Sequence, residues 1–243
     1  MILRVLASSS AGNGYLLTSG SETLIIEAGV RFSSVKNALN FDIRSIQGLV
    51  VSHAHQDHSK YIKEYMKAGI VALAHHDVFI AHNIPLNGPQ TKIVQEGRGY
   101  KMGGFKILPL AVEHDVPCLA YHIQHQDMGS LLFVTDSYCF NYEIPGLNHV
   151  LIEANYADDI LDRTGTHPAM RQRLMLTHLS LEATKNILKS VDLAGVMNII
   201  LLHLSNEHSD EARFVREIIE QTGKSSVHAA RPGLVVDLSL MPY

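Results

Sequence analysis

Short apolar runs broken by turn signals recur along the whole chain. Their length and β-branched content predict strands at Ile2–Ala7, Tyr15–Thr18, Thr23–Glu27, Gly48–Ser52 and Ile70–Leu73, with SSSAGNG and Gly20-Ser21 as turns. Further strands are predicted at Phe105–Leu110, Leu119–Ile123, Leu131–Thr135, His149–Glu153, Val196–Leu202, Ser226–Ala229 and Leu234–Leu238. Helical spacing occurs at Ser33–Leu39 and at Tyr61–Ala68, where Tyr61, Ile62, Tyr65 and Met66 share a face. It returns at Ala157–Arg163, Leu181–Ser190 and Asp210–Thr222. Strands dominate the first half and mix with helices in the second. Sheets covered by helices on their outer faces, an αβ/βα sandwich, suit that order. One local echo, THLSLE at 177–182 and LHLSNE at 202–207, marks two places where an apolar run gives way to a helix. It is read as similar local geometry, not as a repeat architecture.

With 243 residues, 46% of them hydrophobic, the chain can bury one sizeable core, and 1–243 is expected to form a single domain. No linker or charge run divides it. The net charge of −4 argues against a protein that coats polyanions, though a local basic patch remains compatible. Cys118 and Cys139 make no disulfide framework, so a reducing, cytoplasmic setting is the simpler expectation. The opening MILRVLASSS is no convincing signal peptide, and no apolar stretch reaches membrane-spanning length. The count of 15 histidines is unusual and turns attention to metal chemistry.

Four candidate ligands sit together in SHAHQDHSK, directly after the strand Gly48–Ser52. Strand ends in layered α/β folds are rigid places from which loops present chemistry. The i, i+2 spacing of His53 and His55 puts both rings on one side of extended chain. Asp57 and His58 begin the turn into a helix and point to a neighbouring position. One loop can thus feed two cations, with nitrogen and oxygen donors that Zn²⁺ accepts. The competing explanation is a solvated loop in which Asp57 or Ser59 caps a helix. Four ligands cannot complete two sites. His114, Asp136 and His203, each after a predicted strand, are candidates for the rest. Singly, they read equally well as a loop histidine, a helix-capping aspartate and a buried hydrogen-bonded histidine.

Taken in order, LIIEAG with Glu27, HAHQDH, His114, Asp136 and His203 resemble the metallo-β-lactamase-fold superfamily over nearly the whole chain. The resemblance implies an α/β fold, a four-layer αβ/βα sandwich, and two divalent metal ions. The first would take His53, His55 and His114, the second Asp57, His58 and His203, with Asp136 bridging. Glu27 stands where Asp is usual, which affects a hydrogen bond to the cluster loop. Nitrogen-rich ligands favour zinc, and the carboxylates tolerate manganese. An aspartate bridge is typical of the phosphodiesterase and nuclease branches, where two cations clamp the attacking and leaving oxygens, a hydroxide between them attacks, and Asp57 orients it.

LIEANY and LTHLS resemble two loops of the tRNA 3′-processing endonucleases. Carried over, Glu153 pairs with His178, which protonates the leaving oxygen. Asn155 stands where Thr is usual and Leu179 where Ser is. An ordinary buried polar pair is the alternative. Of Arg171 and Arg173, just before His178, Arg173 is the candidate for binding phosphate. The SSSAGN turn is expected to pack under the site. The pattern is most similar to the small stand-alone bacterial and phage exonucleases of this fold, which implies DNA as the partner. A hydrolase of small or cyclic-nucleotide phosphodiesters is the alternative, since it needs no basic stripe. A thioester or lactam-type hydrolase and a non-catalytic metal-bound protein stand behind these. Lys60, Lys63 and Lys67 share a helix face that serves as a modest phosphate track or simply as a solvated surface. A homodimer would supply grip that so short a chain lacks. His75, His76 and Asp77 imitate a ligand cluster but suit capping and surface roles better.

Overall fold

The computed structural model describes residues 1–240. In chain order the strands are β1 (Ile2–Ser9), β2 (Gly12–Ser19), β3 (Glu22–Ile26), β4 (Ile46–Val51), β5 (Ala72–Ala74), β6 (Thr91–Ile93) and β7 (Tyr100–Met102). They continue as β8 (Phe105–Val112), β9 (Cys118–His125), β10 (Gly129–Val134), β11 (His149–Glu153), β12 (Asn198–Leu202), β13 (Val227–Ala229) and β14 (Val235–Asp237). The α-helices are α1 (Phe32–Ala38), α2 (Gln56–Ser59), α3 (Ile62–Lys67), α4 (His76–Ala81), α5 (Asp158–Arg163), α6 (Pro168–Thr177), α7 (Leu181–Ser190) and α8 (Glu211–Thr222). Among the described residues no helix is long and apolar enough to cross a membrane.

Two seven-stranded mixed sheets form, in the orders β14-β1-β2-β3-β4-β5-β6 and β13-β12-β11-β10-β9-β8-β7. Their central strands are buried on both faces, which is why those strands read as continuous apolar runs. The side-chain period of two sorts them. Tyr15, Leu17, Leu24 and Ile26 join Tyr121, Phe133, Leu151 and Ile200 in the core between the sheets. Their neighbours Leu16, Ile25, Leu49 and Val51 face outward, onto Val35, Ile62, Tyr65 and Phe79 of the helices α1, α3 and α4. On the second sheet Leu132, Val150, Ile152 and Leu201 meet Ile160, Leu188, Phe214 and Ile218 of α5, α7 and α8. The result is helix, sheet, sheet, helix: the expected four layers.

The caps follow from local chemistry. Ser180 Oγ accepts from Ala183 N at the start of α7, and Asp210 Oδ1 accepts from Arg213 N at the start of α8. Gly223, at φ 68°, ends α8 in the left-handed conformation.

Several boundaries differ from expectation. SSSAGNG is mostly strand: Ser8 pairs with Asn13 and Ser9 with Gly12, leaving only Ser10 and Ala11 to turn. An irregularity between Val5 and Ala7 in that ladder shifts the register beyond what the apolar pattern suggests. The predicted helix Tyr61–Ala68 is shortened to α3, with α2 a separate turn before it. Helix α6 has no counterpart in the sequence pattern, because Met170, Met175 and Leu176 on it face solvent and no apolar stripe marks it. The edge strands β6 and β7 are too short and polar to register as apolar runs.

Candidate metal centre

The strand ends converge. β3, β4, β8, β10, β11 and β12 finish at one edge of the two sheets, and the candidate residues lie on or just beyond those ends. Ser52 and His53 leave β4, and Gln56 opens α2, so Asp57 and His58 occupy its single turn. Donor atoms of His53, His55, His114 and Asp136 lie within 4.8 Å of one another, and those of Asp57, His58, Asp136 and His203 form a second such group. Asp136 belongs to both. In the first, His114 Nε2 stands 3.3 Å from His55 Nδ1, and His53 Nε2 stands 3.8 Å from Asp136 Oδ2. In the second, Asp57 Oδ2 is 3.2 Å from both His58 Nε2 and His203 Nε2, and Asp136 Oδ1 is 3.3 Å from His58 Nε2.

These donors fit divalent cations. His53 is fully buried; its Nδ1 lies 2.9 Å from Ser52 Oγ, while its Nε2 has no hydrogen-bond partner among the described residues. A ring donating Nδ1–H to the serine leaves Nε2 as a buried lone pair, a costly arrangement unless a cation takes it. Burial holds the His53 and His114 rings below the ordinary imidazole range, so both favour the neutral form that ligation requires. Burial pushes Asp136 up, but His203 and His58 outweigh it and hold the carboxyl ionised; despite burial, the carboxylates around those two rings keep them protonated, and a cation bound there would take the place of those protons. Asp57 is likewise lowered: burial opposes, and hydrogen bonds from His203 and His58 prevail.

The backbone at these positions is strained. Glu27, Asp136 and His203 adopt φ of 68°, 43° and 53°. Non-glycine residues there cost about 1–3 kcal/mol each and persist when their surroundings over-determine them. Here they do. Glu27 Oε1 accepts from Ser52 N at 3.2 Å, Thr135 Oγ1 donates to Asp136 Oδ1 at 2.7 Å, and His203 N donates to Ser8 Oγ at 2.9 Å. Glu27 Oε2 also faces His58 Nδ1 at 3.6 Å, so glutamate in place of the usual aspartate still reaches the cluster loop.

Beside the two groups lies an acid–imidazole pair. Glu153 Oε1 is 2.7 Å from His178 Nδ1, and Glu153 Oε2 accepts from Leu179 N at 3.0 Å. The Leu179 side chain packs in the outer core, so its departure from serine leaves the amide contact in place. The same Glu153 oxygen also stands 3.0 Å from His203 Nδ1. Asn155 Nδ2 donates to the His203 carbonyl at 2.7 Å, tying that loop to β11. Arg173 and His178 line one cavity of 350 Å³, whereas Arg171 is held by Asp162 and, at 3.2 Å, by Asp158. Lys60, Lys63 and Lys67 do not line that cavity. His75 Nδ1 accepts from Asp77 N and caps α4, apart from the centre.

Residues outside the candidate ligand set touch it. Asn13 Nδ2 lies 3.0 Å from His58 Nε2 and 3.4 Å from Asp57 Oδ2. Asp115 Oδ1 stands 3.1 Å from His114 Nε2 and 3.3 Å from His55 Nε2. Cys118 Sγ is 3.6 Å from His53 Nδ1. Only Asp115, adjacent to His114, and Asn13, in the SSSAGN stretch, carried any signal of proximity.

The chain is similar to known proteins over most of its length. The chain is 24% identical to the exodeoxyribonuclease WalJ of Streptococcus pneumoniae over 97% of its own length and 91% of the relative's. It is 25% identical to the exodeoxyribonuclease YycJ of Bacillus anthracis, covering 90% and 89%. The crystal structure of the metallo-beta-lactamase fold protein YhfI from Bacillus subtilis superposes with a TM-score of 0.76 at 19% identity, covering 97% of this chain and 98% of that one. The family model for the metallo-beta-lactamase superfamily matches residues 9–136, more than half of the 243 residues, with the HAHQDH loop, His114 and Asp136 inside the match, and the chain belongs to that superfamily.

Proposed function

We propose that the protein is a metal-dependent phosphodiesterase with two cations, acting as an exonuclease on DNA. The observation that carries this is the Glu153–His178 pair, 2.7 Å apart, set against two donor groups that share Asp136. A thioester or lactam substrate has no evident use for such a pair beside two sites. The two relatives named as exodeoxyribonucleases support DNA as the substrate class.

His53, His55, His114 and Asp136 would hold one cation, and Asp57, His58, His203 and Asp136 the other. When bound, zinc or manganese ions there polarise the phosphate and lower the pKa of the attacking water. Asp57, beside its role as a ligand, accepts a hydrogen bond from that water and aims it in line with the leaving oxygen. The water releases one proton to solvent, its oxygen bonds to phosphorus, the phosphorus–oxygen ester bond breaks, and His178 delivers a proton to the departing oxygen. Burial lowers the basicity of His178, but the Glu153 charge and hydrogen bond outweigh it and keep a proton on the ring. Arg173 steadies a non-bridging phosphate oxygen from the cavity wall.

The test compares linear DNA, RNA, cyclic nucleotides and bis(p-nitrophenyl) phosphate with the zinc- and manganese-loaded protein. DNA shortened from its ends is the expected result. Turnover confined to the small esters would overturn the exonuclease assignment, and hydrolysis of none would overturn the phosphodiesterase.

A further inference from the structure

The surface beside His178 continues in two directions. The 350 Å³ cavity that holds His178, Arg173 and Ser10 shares Leu204, Ser205 and Asn206 with a second one of 430 Å³, which extends past Ser9 to Arg231. On its other side it shares Met170, Glu207 and His208 with a third of 580 Å³, which ends at Thr164 and His167. The three adjoin one another through these shared residues, with His178 and His203 on the wall of the middle one. Two sequence features that the metal ligands leave unexplained line them: the serine-rich turn at 8–10 and the LSNE segment after His203.

We propose that the three cavities form one channel, the track of a single nucleic-acid strand, with Arg173 at the reacting phosphate and Arg231 on a phosphate further along. The inference rests on the phosphodiesterase function above. Each cavity falls in the range of about 300–1,000 Å³ that one small ligand fills, so a cyclic nucleotide occupies only the central one. The chain of cavities is explained by a chain of nucleotides. Arginine cations are few on these walls, Arg173 and Arg231, and the carboxylates of Glu207 and Glu211 stand nearby, Glu211 3.8 Å from Arg231. Duplex binding draws on neutralising many phosphates and finds no such stripe. A single strand also binds through hydroxyl and amide hydrogen bonds to its sugar–phosphate backbone and through base contact. Ser9, Ser10, Asn206 and Ser209 supply the first kind of contact. Met170, 45% exposed between two of the cavities, offers apolar surface to a base.

The experiment measures binding of a fluorescein-labelled phosphorothioate oligothymidylate to the metal-loaded protein by fluorescence polarisation. A blunt hairpin duplex of equal phosphate count is the comparison. The single strand is expected to bind about tenfold tighter than the hairpin. Arg231→Ala, at an exposed position, is expected to weaken single-strand binding about tenfold, as loss of one charge-assisted contact does. It should also lower the salt slope by about one unit, with Arg231→Lys recovering most of that slope. Equal affinity for the hairpin, or binding indifferent to Arg231→Ala, overturns the channel. Hydrolysis of bis(p-nitrophenyl) phosphate by the unaltered protein separates the two claims. Small-ester hydrolysis with Arg231-independent strand binding removes the channel alone. Arg231-dependent strand binding without any ester hydrolysis removes the phosphodiesterase and leaves the channel as a binding site.

Discussion

Glu153 holds His178 by a 2.7 Å contact from Oε1 to Nδ1, and the same oxygen stands 3.0 Å from Nδ1 of His203. One buried carboxylate therefore links the proposed proton donor to a proposed metal ligand. Its second oxygen is committed to the amides of Leu179 and Ser137. A carboxylate fixed at both oxygens cannot follow one ring without disturbing the other.

Replacing His178 with Ala removes the donor and leaves both donor groups intact. Turnover on DNA should fall by about 10²–10⁴-fold, the usual contribution of general acid catalysis. Metal content, measured by inductively coupled plasma mass spectrometry, should stay level. A protein that loses metal instead would exchange the roles given to His178 and His203.

Asp136 is the one residue common to both groups, so Asp136→Ala should cost more metal than the loss of any single histidine. The expectation is a fall from about two ions per chain to less than one, with DNA cleavage lost. Full occupancy in that variant contradicts the shared-ligand arrangement. Asp57→Ala is expected to abolish turnover as well, and undiminished activity there counts against the two-cation mechanism.

Gly29 follows the strained Glu27, and a Cβ at this position falls 1.7 Å from the carbonyl oxygen of Asp57. That neighbour is backbone and has nowhere to yield without moving α2. Gly29→Ala is predicted to destabilise the fold by about 1–3 kcal/mol, as overpacking does, and to weaken metal binding through Asp57 and His58. Urea unfolding and metal titration by calorimetry report the two effects separately. A variant with unchanged midpoint and affinity would show that the loop relaxes freely.

His149, remote from the centre, makes stability depend on pH. It is fully buried; its Nε2 donates to the Met128 carbonyl at 3.1 Å, and its Nδ1 lies 3.1 Å from Asn198 Nδ2. Ser226 Oγ donates to Asn198 Oδ1 at 2.6 Å, which fixes the amide and makes its nitrogen the donor to His149. Burial lowers the His149 pKa from 6.5 to about 4. Above the unfolded value both states are neutral and the stabilisation is complete. As the pH falls from 6.5 toward 4, only the unfolded chain gains the proton, so stability declines by up to about 3 kcal/mol and then levels off. Urea midpoints across this window should drop in the unaltered protein, and the slope should flatten in His149→Gln. An unaltered slope would place the acid sensitivity elsewhere.

The local sequence determined a good deal. Apolar runs of strand length located most of the buried strands, because sheets covered on both faces require nearly every side chain in them to be apolar. HAHQDH announced four candidate donors, and they fall into two donor groups, since residues before and within a helical turn project differently and that projection is local. Elements without an apolar periodicity, such as α6 with exposed Met175 and Leu176, left no such trace. The tertiary structure alone decided which distant groups meet. His114, Asp136 and His203 reach the loop because six strand ends share one edge, a consequence of sheet order and register rather than of any residue's neighbours. Asn13 beneath Asp57, Asp115 between two histidines, and Glu153 touching both His178 and His203 arise from chain crossings across both sheets. A side chain's type and spacing declare what chemistry it can do; packing of non-local elements sets what stands within 3 or 4 Å of it, and local pattern carries no record of that distance.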